Sequence, residues 1–210
     1  MKAAILVLTI SMAAFGVTLN DWGYCDSPAA GVVGGDNNWY GVRFTPPDDC
    51  NTGTISQIKM WTATSTGSFT NPTIHLRIYK FISGQTNPIT EPWSPTWNFP
   101  ITSPGTTGNW ITYNLTNPFT YDRSVAAEFV VAFQSEHAPS HDTWLSQIGY
   151  DGAVGTPNRN WVVVGHNMPQ PSDWSLSAQG DYMIRLTFTY TPDYTPVLPT
   201  SLGNIKAVYN

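Results

Sequence analysis

At 210 residues the chain has room for one good-sized domain, and 41% apolar residues are enough to fill its core. Only 11% of residues are charged, against roughly 25% in an ordinary soluble domain; Thr, Ser, Asn, Gln, Gly and Pro stand in their place. A net charge of −5 with no Lys/Arg cluster excludes a nucleic-acid partner, which requires a basic footprint.

The N-terminus predicts the compartment. Met1-Lys2 is a short positive start, Ala3 to Ala14 is a continuous apolar and small run, and Ala14-Phe15-Gly16 has small residues where a signal peptidase reads. The run is shorter than the about 20 residues a membrane span needs. Residues 1–16 are therefore expected to be a cleaved signal, leaving a mature chain without a transmembrane span at the cell surface or outside the cell. An uncleaved anchor is the rival reading. Cys25 and Cys50 are the only cysteines, and in an exported chain an even count predicts a disulfide between them. A metal site is the weaker alternative, since there is no CxxC spacing and no His nearby.

Trp22 to Gly35 is glycine-rich and turn-prone and is expected along one edge of the domain. Trp39 to Phe44 predicts the first strand, closed by Pro46-Pro47-Asp48-Asp49. Thr54 to Thr62 follows, and its apolar period slips by one residue near Gln57, which predicts a bulge. Thr73 to Phe81 alternates, with Ile74, Leu76 and Ile78 inward and His75, Arg77 and Tyr79 outward. Residues 83–108 are rich in Pro, Gly and Thr and allow at most one short edge strand.

Asn109 to Thr116 puts Ile111, Tyr113 and Leu115 on one side. Val125 to Gln134 is the most hydrophobic strand and is expected at the centre of its sheet. Trp144 to Tyr150 and Trp161 to Val164 are further strands. The clearest pattern is the last: Tyr182, Ile184, Leu186, Phe188 and Tyr190 alternate with Met183, Arg185, Thr187 and Thr189, the signature of a strand with one buried and one wet face. Eight or nine strands separated by turn chemistry predict an all-β, two-sheet antiparallel sandwich of jelly-roll type over residues 17–191. Residues 192–210 form an extended, proline-spaced tail.

Ile148-Gly149-Tyr150-Asp151-Gly152, Asn158-Arg159-Asn160-Trp161, Trp174 and Gly180-Asp181-Tyr182-Met183-Ile184-Arg185 together resemble the closing half of a jelly-roll module of bacterial secreted and surface proteins. Tyr40 to Pro46 and Leu76 to Lys80 resemble its opening half, so the likeness runs from about residue 39 to 190. These are scaffold motifs. The resemblance implies a noncatalytic accessory or surface role and supplies no catalytic residue. Ser201 to Tyr209 also resembles a short terminal signature of exported bacterial proteins.

Few residues suggest site chemistry. Glu136, His137, His141 and Asp142 could ligate a divalent ion, but Pro139 denies them a helix and a solvated loop explains them as well. Asp36, Asn38, Asp48 and Asp49 are hard oxygen ligands suited to a structural Ca²⁺, and are equally at home in Asx turns; no other cofactor is expected. In Glu91 to Trp97 an extended backbone puts Trp93 and Trp97 on one side, about 13 Å apart. With Trp174 they are candidates for a glycan-binding platform, or else core payload. Leu202, Ile205, Val208 and Tyr209 in the tail are candidates for assembly.

The readings that follow are three. The first is a noncatalytic surface protein acting by adhesion or self-assembly, its partners being itself, neighbouring surface proteins or an extracellular polysaccharide. The second is a carbohydrate-binding module. The third, a glycan-active enzyme, has no motif behind it.

Overall fold

The computed structural model describes residues 15–34, 38–63, 73–82, 84–88, 92–100, 108–135, 147–152, 155–164, 173–177 and 180–193. The expected class is what the chain forms: an all-β sandwich of two antiparallel sheets. Among the described residues it uses twelve strands rather than eight or nine. Sheet A runs β1 (Val17–Gly23), β12 (Ile184–Tyr190), β4 (Thr52–Ala63), β9 (Gln147–Asp151), β2 (Ala29–Val33), with β7 (Asn109–Asp122) on the other side of β4. Sheet B runs β11 (Ser175–Leu176), β10 (Asn160–Val163), β3 (Trp39–Phe44), β8 (Glu128–Ser135), β5 (Thr73–Phe81), β6 (Trp97–Pro100).

The added strands are ones that alternation does not reveal. β1 is interrupted by Asn20-Asp21, β2 is small-residue and Gly-containing, and β11 has two residues. β1 and β2 border sheet A at opposite ends of its order, whereas the glycine-rich stretch from Trp22 to Gly35 is expected along one edge. β6 is the short edge strand allowed between 83 and 108, and β8 lies between β3 and β5 near the middle of sheet B.

Alternation decides the core. Ile184, Leu186 and Phe188 of β12 meet Ile55, Ile58 and Met60 of β4 on the inner face of sheet A, all at most 1% exposed. Val42, Phe44, Ile74, Leu76, Ile78, Phe129, Val131 and Phe133 answer them from sheet B, each also at most 1% exposed. Packing two apolar faces this way is what stabilises a sandwich. The outer face of sheet B departs from expectation. Tyr79 points outward as its position requires but is fully buried, in a second cluster with Trp39, Phe81, Val130, Trp161 and Trp174. Sheet B thus carries a second apolar cluster on its outer face, beside the part-exposed Arg43, His75 and Arg77 and the exposed Asn98, whereas the outer face of sheet A is the more evenly polar one.

Candidate functional site

The sequence-predicted site residues do not assemble into one site. Cys25 and Cys50 are both buried free thiols, which corrects the disulfide. The reason is register. Cys25 follows Gly23, which pairs with Arg185 at the start of β12, and Arg185 donates to its Sγ and carbonyl. Cys50 precedes Gly53, which pairs with Tyr190 at the far end of β12. The span from Arg185 to Tyr190 alone is about 17 Å of strand, whereas bridged cysteines have Cα atoms within about 7 Å.

Burial raises both thiols, Cys50 to about 11, so little thiolate exists near neutrality. The native chain is accordingly expected to react sluggishly with a thiol reagent at pH 8 and to take up two equivalents once denatured without reductant. A mass showing two blocked sulfurs would overturn this.

The tryptophan platform is corrected as well. Trp93 and Trp97 do share a side, but that side is inward. Trp97 pairs with the inward-facing Leu76 and is 8% exposed. Trp93 packs edge-on against Phe119 at 5.1 Å and tilts against Tyr121 at 5.9 Å. Trp174 is 3% exposed and lies T-shaped against Tyr79. All three serve packing.

Of the calcium candidates, Asp36 lies outside the described residues. Asn38 donates to the Tyr40 hydroxyl (3.1 Å). Asp48 and Asp49 sit in the turn beyond the other end of β3, about 20 Å of strand away. Among the described residues no group of three or more His, Cys, Asp or Glu could hold a metal ion. The Glu136 to Asp142 cluster and Leu202, Ile205, Val208 and Tyr209 lie outside the described residues. Where the tail begins, the Asp193 N–H donates to the Asp49 carbonyl and its carboxylate accepts from Asn51, so those first residues are tied to their own sandwich.

The motifs that carried the resemblance converge in a buried knot. Asp151 accepts the N–H groups of Asp181 (2.9 Å) and Asp26 (3.2 Å). Asp181 accepts the N–H and hydroxyl of Thr156 and the Asn160 amide. Asn160 in turn accepts the Tyr182 N–H. Every carboxylate oxygen is engaged, so this knot ties strand ends together and is not poised for chemistry.

The surface that remains is the outer face of sheet A. Cross-strand pairing lines its side chains into rows. Thr120, Thr54, Thr189 and Thr18 are paired in succession across β7, β4, β12 and β1, with Thr18 and Thr189 hydroxyls 3.0 Å apart. The next row is Asn114, Gln57 and Thr187: Gln57 donates to Asn114 (2.8 Å) and accepts from the Thr187 hydroxyl (3.0 Å). Then come Thr112, Lys59 and Arg185, and after them the pair Trp110 and Trp61.

Lys59 is paired with Asp21 at 2.9 Å. The Arg185 guanidinium lies 4.6 Å from the Trp110 ring centre. Since β7 and β12 flank β4, about 10 Å apart, the indole must reach across β4 over the sheet. Sequence reasoning missed this group, although its signal was present: placing Ile111, Tyr113 and Leu115 inward puts Trp110, Thr112 and Asn114 on the wet face.

Fold and face together define a class, an antiparallel β-sandwich with one broad polar face whose charges gather at Lys59, Asp21 and Arg185. No protein-family model matches the chain, and no curated protein sequence matches it. Among solved structures it is similar to a chain in "Structure of infectious bursal disease virus Gt strain", with 12% identity and a TM-score of 0.28. That likeness covers 98% of this chain and 53% of the other, so the present chain spans about half its length. A TM-score so low carries no argument about fold or function.

Proposed function

We propose that the protein is a noncatalytic extracellular or cell-surface sandwich that works by adhesion or assembly, with the outer face of sheet A as its working surface. The observation that carries the reading is the threonine row, Thr120, Thr54, Thr189 and Thr18, with the amide row beside it. Four adjacent strands present hydroxyls and amides at regular spacing with almost no charge. Such a face suits contact with another neutral surface, because its hydrogen bonds need no counter-ion and its desolvation removes few charges. The signal-like start, the low overall charge and the likeness to bacterial surface modules support the same reading.

The test uses the chain from Val17 to Asn210. The wild-type protein is expected to co-sediment with isolated cell envelopes of its source or to self-associate in sedimentation velocity. Thr120→Lys/Thr189→Lys, at two exposed positions flanking Thr54, is expected to stay folded and lose that behaviour. The proposal fails if the wild type does neither, or if the double variant matches it.

A further inference from the structure

Three of the four neighbouring strands β7, β4, β12 and β1 break register around Gln57. On β4, Ser56 is skipped against both neighbours, since Ile55 and Gln57 pair with Phe188 and Thr187 of β12. On β7 the partners jump from Asn114 to Phe119. On β1 the register slips between Leu19 and Trp22, and Asp21 there adopts φ 53°, the left-handed region that Asp tolerates better than most residues. Bulges re-aim side chains, and that is the result here: Asp21 reaches past β12 to Lys59 on β4. The irregularities enclose a cavity of about 210 Å³ lined by Asn20, Asp21, Gln57, Lys59, Thr112 and Thr187. Trp110 stands at its lip, two residues from Thr112 on the same face and 5.6 Å from the Lys59 ammonium.

We infer that this cavity holds one pyranose ring of a neutral polysaccharide, with the rest of the polymer lying across the threonine and amide rows. The inference rests on the reading of this face as the working surface and names its ligand. Size is the first argument. The cavity is smaller than the roughly 300–1,000 Å³ of a site that encloses a whole drug-sized ligand, and it opens on a flat face along which a chain can continue.

Charge is the second. Lys59 and Asp21 neutralise each other, and Arg185 is turned beneath Trp110 with its N–H groups on Cys25. No free cation is left among the lining residues for a phosphate or carboxylate. Hydrogen bonding is the third. The lining mixes donors and acceptors, amides, hydroxyls, a carboxylate and an ammonium, as vicinal hydroxyls require. While paired, the Lys59 ammonium and the Asp21 carboxylate still keep donors and lone pairs that can meet sugar hydroxyls. Trp110 supplies the flat surface on which the C–H face of a ring packs.

The experiment is affinity electrophoresis of the Val17 to Asn210 chain in gels cast with hydroxyethylcellulose, laminarin, galactomannan, xylan or dextran, and with polygalacturonate as the anionic control. At least one neutral polymer is expected to retard the wild type, and polygalacturonate is not. Trp110→Ala and Thr112→Arg, the second placed on an exposed residue and filling the cavity, are each expected to weaken retardation at least tenfold with an unchanged melting temperature. Trp110→Phe should keep part of it.

The inference is overturned if no neutral polymer retards the protein, if polygalacturonate retards it as well, or if Thr112→Arg binds like wild type. Envelope retention that survives Thr112→Arg but not Thr120→Lys/Thr189→Lys would leave adhesion standing and remove the sugar site. Polymer binding without envelope retention or self-association would do the reverse.

Discussion

Replacing Phe188 with alanine is expected to destabilise the sandwich by about 3–5 kcal/mol, a drop of roughly 6–20 °C in melting temperature for a chain of this size. Phe188 is fully buried at the middle of the inner face of sheet A. Its ring lies 5.3 Å from Trp22, 6.1 Å from Tyr121 and 5.9 Å from Tyr190. Gly53 faces it from β4 so closely that any Cβ there would collide with the ring. The void left by alanine is therefore walled by large rigid rings, which collapse poorly, so the cost belongs in the upper part of the range. Thr189→Ala, one residue on and exposed, is the matching control and is expected within about 0.5 kcal/mol of wild type. Chemical denaturation of the three proteins decides it. A Phe188→Ala loss below 1 kcal/mol would mean that the two sheets are not packed as described.

The second large effect is expected at Asp181. Asp181→Ala leaves the Thr156 N–H and hydroxyl, both part-buried, and one buried Asn160 amide hydrogen without acceptors. Each stranded donor costs about 1–3 kcal/mol, and because they share one network the losses do not add simply. A total of about 3 kcal/mol or more is expected. Asp181→Asn retains a single carbonyl acceptor and should fall between alanine and wild type. Equal stability of the alanine variant and wild type in urea would show that the knot is not closed in solution.

Much of this architecture is legible in the chain. The period-two pattern of residues 182–190 places β12 and names its buried face, because a strand in a half-wet sheet has only one way to sort such side chains. The slipped period near Gln57 correctly marks a bulge. Val125 to Gln134 marks a strand at the centre of its sheet, as β8 is, although its first residues turn out to belong to the turn that precedes β8. The twelve-strand count is not legible, because β1, β2 and β11 are short or broken and carry no alternation of their own; they exist because neighbours offer them an edge.

The site calls for a different kind of information. Sequence by itself determined the strand class, the sides of the regular strands and the poverty of charge, all properties of local pattern and composition. It could state that Trp93 and Trp97 share a side, but whether that side is core or surface depends on β6 pairing with β5 so that Trp97 stands beside the inward Leu76. The tertiary structure alone decided that Cys25 and Cys50 stand toward opposite ends of β12. It alone placed Asp21, Gln57, Lys59 and Trp110, from three different stretches of chain, around one cavity. The physical reason is pairing across strands: neighbours in a sheet are set by register between distant segments, and irregularities on β7, β4 and β1 shift that register where Gln57 lies.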